Sequence, residues 1–330
     1  MLVAAVTAPS TVELVESPDP VATPGWSVVD VSVAPLCTEF TSYRDGVGGD
    51  ALGHEAVGTV SETAPGSRFA VGDRVVAMPL LGCGSCALCR GGDYIHCPAG
   101  IPSEEPLGTL RERIRKPDWL LIAVPDGLSD EHASLACCAL GASFGAFERA
   151  RVSGTDVVLI TGLGAVGLGA VANAVMRGCR VVAVETNPYR KDLALRLGAE
   201  EVYSPDDDVV AAVRDATGGI GTDVAIECSG APGAQRTALG AVRRLGTVAF
   251  VGNSYGDTPL RVSPDLIFPG LTIFGSWHYN LRAAGRLLDQ IARHPGLVSQ
   301  LITHRYPLAD IGSAWQQQIG GHCGKVLIRP

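Results

Sequence analysis

Four cysteines fall within one short stretch of this chain: Cys83, Cys86, Cys89 and Cys97, spaced C-x2-C-x2-C-x7-C. Four thiolates this close in sequence can surround one tetrahedral zinc ion and close its coordination sphere. A closed sphere leaves no position for a substrate, so the spacing predicts a structural site. A second set is more dispersed. Cys37 stands upstream of Gly53-His54-Glu55. Thiol and imidazole are both zinc ligands, and a catalytic ion keeps about three protein ligands and one open position. Taken alone, these residues read equally as a buried thiol and a core histidine that never meet.

Gly162-Leu163-Gly164-Ala165-Val166-Gly167 reads G-x-G-x-x-G. The apolar run Val157-Val158-Leu159-Ile160-Thr161 precedes it and a helical pattern follows. Glu185 lies about 20 residues on, at the end of the next strand-like run. Such glycines let the backbone approach a pyrophosphate, which rests on the helix N-terminus. The Glu185 carboxylate can accept hydrogen bonds from adenosine ribose hydroxyls and would repel a 2′-phosphate. NAD is therefore favoured over NADP, a preference tempered by the nearby Arg190 and Lys191. The competing reading is a tight turn without a nucleotide.

The elements that must position these groups change character along the chain. Residues 1–80 carry short β-like runs between turns, such as Val28-Val29-Asp30-Val31-Ser32-Val33, Ala56-Val57-Gly58-Thr59-Val60 and Arg74-Val75-Val76-Ala77. This is an antiparallel pattern. Residues 81–106 form the Gly- and Pro-rich cysteine lobe. Leu120-Leu121-Ile122-Ala123-Val124-Pro125 reads as a strand, and Ser129-Asp130-Glu131 as the start of a helix over 131–150. From Ser153 to about residue 275 apolar runs alternate with helical patterns, which predicts a parallel α/β unit. The tail holds a helix over 283–292 and ends in Lys325-Val326-Leu327-Ile328.

At 330 residues, 46% of them hydrophobic, the chain can bury a sizeable core and divide into two domains. A net charge of -8 argues against nucleic acid or an anionic membrane surface as partner. The apolar start Met1-Leu2-Val3-Ala4-Ala5-Val6 lacks a basic n-region, and no apolar run approaches the roughly 20 residues of a membrane-spanning helix. The ten cysteines are therefore read as metal-bound or free thiols of a reducing cytoplasm.

Taken in order, the residues that stand out are Cys37, Gly53-His54-Glu55, the cysteine lobe, the glycine loop, Asp223-Val224-Ala225-Ile226-Glu227-Cys228-Ser229-Gly230 and the closing Gly324-Lys325-Val326. Together they resemble the medium-chain dehydrogenase/reductase superfamily, in its zinc-dependent alcohol and polyol dehydrogenase branch. The resemblance spans essentially the whole chain. It implies an α/β fold with a GroES-like β-rich catalytic domain over 1–137 and 277–330, including the structural-zinc lobe at 81–106. A doubly wound Rossmann NAD-binding domain would fill 138–276, with the active site in the cleft. It also implies two zinc ions per chain, one catalytic and one structural, and a homodimer or homotetramer. The reaction implied is hydride transfer between NAD(H) and a secondary alcohol or ketone, such as a polyol, sugar or cyclitol derivative.

By the family pattern, Cys37 and His54 ligate the catalytic zinc, and Glu55 enters or tunes its shell. The third ligand opens the helix before the nucleotide domain, where this chain has Cys137-Cys138. The ungapped match of Cys138-Ala139-Leu140-Gly141 favours Cys138, while counting back from Ser153-Gly154 favours Cys137; Cys138 is preferred. Gly162, Gly164, Ala165, Val166, Gly167, Glu185, Arg190 and Val251 are the cofactor contacts implied.

The chain departs from the family at the proton relay. Relatives read Cys-x-(Thr/Ser)-Asp, whereas Cys37-Thr38-Glu39-Phe40 puts Glu39 where the relaying hydroxyl stands and Phe40 where the Asp stands. Thr38 serves after a one-residue shift. Glu39 is then a general base, a zinc-shell carboxylate, a substrate contact or a solvated glutamate. A short segment after Cys97 makes the substrate rim non-standard, with Trp119, Trp277 and His278 as rim candidates. Two other functions stay open: a lyase, epimerase or cyclase with Glu39 as base, and a non-catalytic NAD-binding protein holding only the structural zinc.

Overall fold

The computed structural model describes residues 1–99, 108–253 and 256–330. The end of the cysteine lobe, 100–106, lies outside the described residues. The chain divides into two compact units, Met1–Cys138 with Asn280–Pro330, and Ala139–Tyr279.

The first unit is built on a seven-stranded sheet. Its order is Ile302–Pro307, Lys325–Arg329, Trp26–Pro35, Ala56–Glu62, Arg74–Ala77 and Leu121–Ala123, with Arg113–Pro117 paired to Trp26–Pro35. The long strand Trp26–Pro35 is central, and its Val28, Val29, Val31 and Val33 are all buried. One of its edges pairs with Ala56–Glu62; the other is shared by Arg113–Pro117 and, at Ala34 and Pro35, by the C-terminal strand. Trp315, fully buried, stacks on Tyr43 at 4.8 Å between ring centroids. Ion pairs then fasten the C-terminal strands to the short helix Asp130–Ser134: Glu131 receives Arg305 at 2.8 Å and Arg329 at 2.5 Å. Hydrogen bonds from these guanidiniums draw the Glu131 carboxyl down to about 2.

The helix expected over 131–150 is two helices, Asp130–Ser134 and Gly141–Ala150. Between them the backbone closes tight turns, Ala136 N–H to Ala133 O and Cys137 N–H to Ser134 O, both 3.1 Å. The Leu140 carbonyl also accepts from the Asn173 side chain at 2.9 Å. The break leaves Cys138 in the first unit, one residue beyond the expected boundary. Residues 277–279 fall in the second unit rather than the first. The reason is packing: a Cβ on Gly145 would lie 2.0 Å from the His278 carbonyl, and Phe144 meets Tyr279 edge-on at 6.0 Å.

The second unit is a six-stranded parallel sheet in the order Glu201–Tyr203, Arg180–Val184, Val157–Thr161, Thr222–Glu227, Val242–Phe250 and Thr272–Gly275. Counted along the unit, that is 3-2-1-4-5-6, the doubly wound order. Val158, Leu159, Ile160, Val181 and Val182 are buried on both sheet faces, which is why these runs are apolar rather than alternating.

Candidate metal centre and cofactor cradle

Donor atoms of Cys37, His54, Glu55 and Cys138 lie within 4.8 Å of one another. Cys37 ends the crossing from the central strand, His54 and Glu55 lead into Ala56–Glu62, and Cys138 comes from the broken helix. The Cys37 and Cys138 sulfurs are 3.7 Å apart. Cys137 faces away, its thiol toward the carbonyls of Ala56 and Ala77, and burial pushes it up to about 12. The thiol–thiol contact draws Cys37 well below the usual thiol range and lifts Cys138. Two thiols, an imidazole and a carboxylate this close form a donor set that suits zinc. The buried Glu55 Oε2 has no hydrogen-bond partner among the described residues, as expected of an atom beside a cation.

A shell of residues aims these donors. Glu39 Oε1 accepts from His54 Nδ1 at 2.6 Å, and Glu39 Oε2 accepts from the Cys37 N–H at 2.9 Å. The ring nitrogen left facing the cluster is Nε2, 3.7 Å from Glu55 Oε1. Burial works to lower the His54 pKa, but Cys37, Glu39 and Glu55 outweigh it and hold the ring well above its usual range. Phe40, where relatives place the carboxylate, packs on the hydrophobic core instead. The carboxylate that meets His54 is instead that of Glu39, one residue upstream.

Three further residues escaped sequence reasoning. Lys325 Nζ lies 2.6 Å from Glu55 Oε1, with both side chains essentially inaccessible. Burial opposes charge on each; we take Lys325 as protonated, because Glu55 and the Cys37 and Cys138 sulfurs all face it and raise it. Gln318 donates to the Cys37 carbonyl at 3.2 Å. Arg111, 2% exposed, donates to the Asp50 carbonyl at 2.5 Å, while the Thr109 N–H holds the Leu52 carbonyl at 2.9 Å. These last bonds clamp the loop before His54, whose Gly53 has φ +87° and no room for a side chain beside Thr109. Only Gly324-Lys325-Val326 carried a hint in the sequence.

The cysteine lobe is built locally. Donor atoms of Cys83, Cys86, Cys89 and Cys97 also lie within 4.8 Å of one another. Backbone amides point at the sulfurs: Cys86 N–H to Cys83, Cys89 N–H to Cys86 and Cys83 N–H to Cys97, each 3.4 Å. The Ser85 hydroxyl and nearby amides draw the Cys83 thiol down to about 5. Four sulfurs with amide donors already aimed at them suit a closed tetrahedral ion. Trp119, a rim candidate, packs on this lobe: it meets Tyr94 edge-on at 5.6 Å and lies over Gly84. Lys116 donates to the Leu80 carbonyl at 2.7 Å, anchoring the turn that enters the lobe.

In the second unit the glycine loop joins Val157–Thr161 to the helix Ala165–Met176. Gly162 has φ +80°, and a Cβ on Gly167 would collide with the Gly162 carbonyl at 1.8 Å. Gly164, by contrast, looks into open space, and the helix it opens has no side-chain cap. Its amides, beginning at Ala165 and Val166, are therefore available to a pyrophosphate. Glu185 is fixed in advance: Oε2 accepts from the Leu163 N–H at 2.6 Å, and Oε1 takes the N–H groups of Thr186 and Asn187 and the Thr186 hydroxyl. Oε2 retains acceptor capacity for a ribose hydroxyl. Arg190 keeps a buried Nε without a hydrogen-bond partner among the described residues, whereas Lys191 is engaged by Ser204. Val251 closes the strand Val242–Phe250, its N–H on the Glu227 carbonyl at 2.8 Å.

Residues 23–126 match the alcohol dehydrogenase GroES-like domain family, and residues 165–293 match the zinc-binding dehydrogenase family. The chain is 32% identical over 329 residues to an L-threonine 3-dehydrogenase of Pyrococcus horikoshii, covering 96% of this chain and 94% of that one. It is 31% identical over 288 residues to a sorbitol dehydrogenase of Bacillus subtilis, covering 84% and 80%. The solved structure of alcohol dehydrogenase TADH from Thermus sp. ATN1 superposes with a TM-score of 0.90 at 25% identity, over 100% of this chain and 99% of that one. No helix among the described residues is long and apolar enough to cross a membrane.

Proposed function

We propose that this chain, which belongs to the zinc-binding alcohol dehydrogenase family, moves hydride between NAD(H) and a polyol, sugar or cyclitol derivative bearing a secondary alcohol or ketone. It is an alcohol dehydrogenase-like oxidoreductase. The observation that carries the site assignment is the Cys37/His54/Glu55/Cys138 cluster with Glu39 and Lys325 behind it, while the substrate class rests on likeness to the sorbitol and threonine dehydrogenases. Cys37, His54 and Cys138 would hold the catalytic zinc with Glu55 alongside, and the four lobe cysteines a structural one. When bound, the catalytic ion would supply Lewis-acid polarisation of the substrate oxygen, and NAD(H) would take up or give back the hydride.

The chain's own residues do the rest. Glu39 holds the proton on His54 Nδ1 and so fixes the ring and its tautomer. Lys325 balances the buried charge of Glu55. Thr38, exposed and adjacent to Cys37, offers a hydroxyl for carrying the substrate proton outward. Glu39 is 8% exposed and is engaged on Cys37 and His54, which favours a positioning role over that of base of a lyase or epimerase. Glu185 and the glycine loop favour NAD over NADP. Family likeness supports a cytoplasmic homodimer or homotetramer.

The test is a screen over polyols, sugars, aminocyclitols and threonine with NAD and NADP separately. Substrate-dependent nicotinamide reduction, stronger with NAD and abolished by chelation, is the expected result. Turnover without net nicotinamide change, or turnover that survives both chelation and His54→Ala, would overturn the reading.

A further inference from the structure

The second unit carries a cavity of about 630 Å³ that neither the reaction nor the cofactor cradle uses. It opens where Thr222–Glu227 and Val242–Phe250 begin, between the helices Val209–Ala216 and Pro232–Ala241 and the segment around Phe268. In a parallel sheet that is the edge opposite the glycine loop, which follows the end of Val157–Thr161.

Four guanidiniums line it, those of Arg214, Arg236, Arg243 and Arg244, against the single carboxylate of Asp265. Arg236 is paired with Asp265 at 2.8 Å, and Arg243 with Asp223 at 2.6 Å. Arg214 and Arg244 face no carboxylate among the described residues; they touch only the carbonyls of Gly240 at 3.3 Å and Phe268 at 2.7 Å. Each guanidinium has five donors and no acceptor, so most of the donor capacity here is unspent. In a chain of net charge -8, such a concentration of positive charge is local and opposes the molecule's overall field. The remaining wall is apolar, with Phe268 67% exposed. The volume falls within the range of roughly 300–1,000 Å³ typical of small-molecule sites.

We propose that this cavity is a binding site for a small phosphorylated metabolite, whose phosphate oxygens are taken by Arg214 and Arg244 and whose body rests against Phe268. Planar forks match phosphate bidentately, and a volume of about 630 Å³ has room for a small anion. The net negative charge of the whole chain disfavours nucleic acid at the same place.

Isothermal titration of the full-length zinc-loaded protein, saturated with NADH so that the cofactor site is filled, tests this. Inorganic pyrophosphate and fructose 1,6-bisphosphate are the probes. One equivalent should bind, more weakly as salt rises. The double variant Arg214→Gln/Arg244→Gln removes two exposed arginines that hold no ion pair, so NADH affinity and thermal midpoint should be unchanged. Probe binding should weaken by about tenfold or more. The variant Arg196→Gln/Arg293→Gln, which loses the same charge elsewhere, should bind as the unaltered protein does. Binding of neither probe at millimolar concentration, equal weakening in both variants, undiminished binding by the first, or capture of an RNA oligomer in place of either probe would each overturn the proposal.

Discussion

The cysteine lobe takes all four of its sulfurs from residues 83–97, whereas the second cluster joins Cys37 to Cys138, 101 residues away, and leans on Lys325, 270 residues from Glu55. The lobe's sulfurs are aimed by amides of the same loop. The donors of the mixed cluster are aimed by side chains brought in from a helix, a clamped loop and the last strand. A short loop closes at little entropic cost, so its chemistry can be read from spacing. A cluster gathered from distant segments exists only once the core and sheet have formed.

If the two clusters are independent, His54→Ala should break one and spare the other. Losing several kcal/mol of charge stabilisation corresponds to a fall in turnover of roughly a thousandfold. Zinc content should drop by one equivalent, as measured by elemental analysis; loss of both ions would show that the clusters stand or fall together.

Lys325→Met tests the dependence on distant segments. It strands a buried carboxylate and should cost about 3–5 kcal/mol in urea unfolding, with most of it recovered by adding Glu55→Gln. A cost below about 1 kcal/mol would mean that the pair is not charged.

Glu39→Gln keeps a similar shape but loses the carboxylate on His54. Zinc affinity at the mixed cluster, read by chelator competition, or turnover should fall by roughly 10–100-fold. Unchanged values would return Glu39 to the surface role that the sequence left open. Cys86→Ser should release the lobe's ion and expose its loop to proteolysis, with a smaller loss of turnover than Glu39→Gln. An equal or greater loss would tie the lobe to catalysis.

The smallest effect concerns the ion pairs that fasten the last strand, and with it Lys325, to the helix near Cys138. The folded carboxyl of Glu131 is held down to about 2 against an ordinary value of 4.5. Its contribution is therefore present above about 4.5 and is lost as pH falls toward 2. These groups are partly exposed, so Glu131→Gln should cost about 1 kcal/mol near neutrality. The difference from the unaltered protein should narrow on acidification below about 4.5. A gap that widens there would reverse the assignment.

Much of the fold was legible because its signals are local. Val157–Thr161, the glycine loop and the helix after it sit in one stretch, and Gly167 answers to the Gly162 carbonyl within that loop, although Gly162 itself is crowded by the distant Ser229. The helix break at 135–140 was not legible. Leu-Ala-Cys-Cys-Ala-Leu contains neither Gly nor Pro to mark a stop, and the break is held by tertiary partners such as Asn173.

The sequence by itself determined the family, the two-part architecture and which residue types would meet metal and nucleotide, because spacing and hydrophobic period encode short-range geometry. Only the tertiary structure decided that Cys138 and not Cys137 turns toward Cys37, and that Glu39 orients His54. It alone set Lys325 behind Glu55 and gathered four arginines around one cavity. Each of these depends on the direction in which a side chain leaves a turn or strand and on what a distant segment places opposite it. That direction is fixed by packing, not by the order of residues around it.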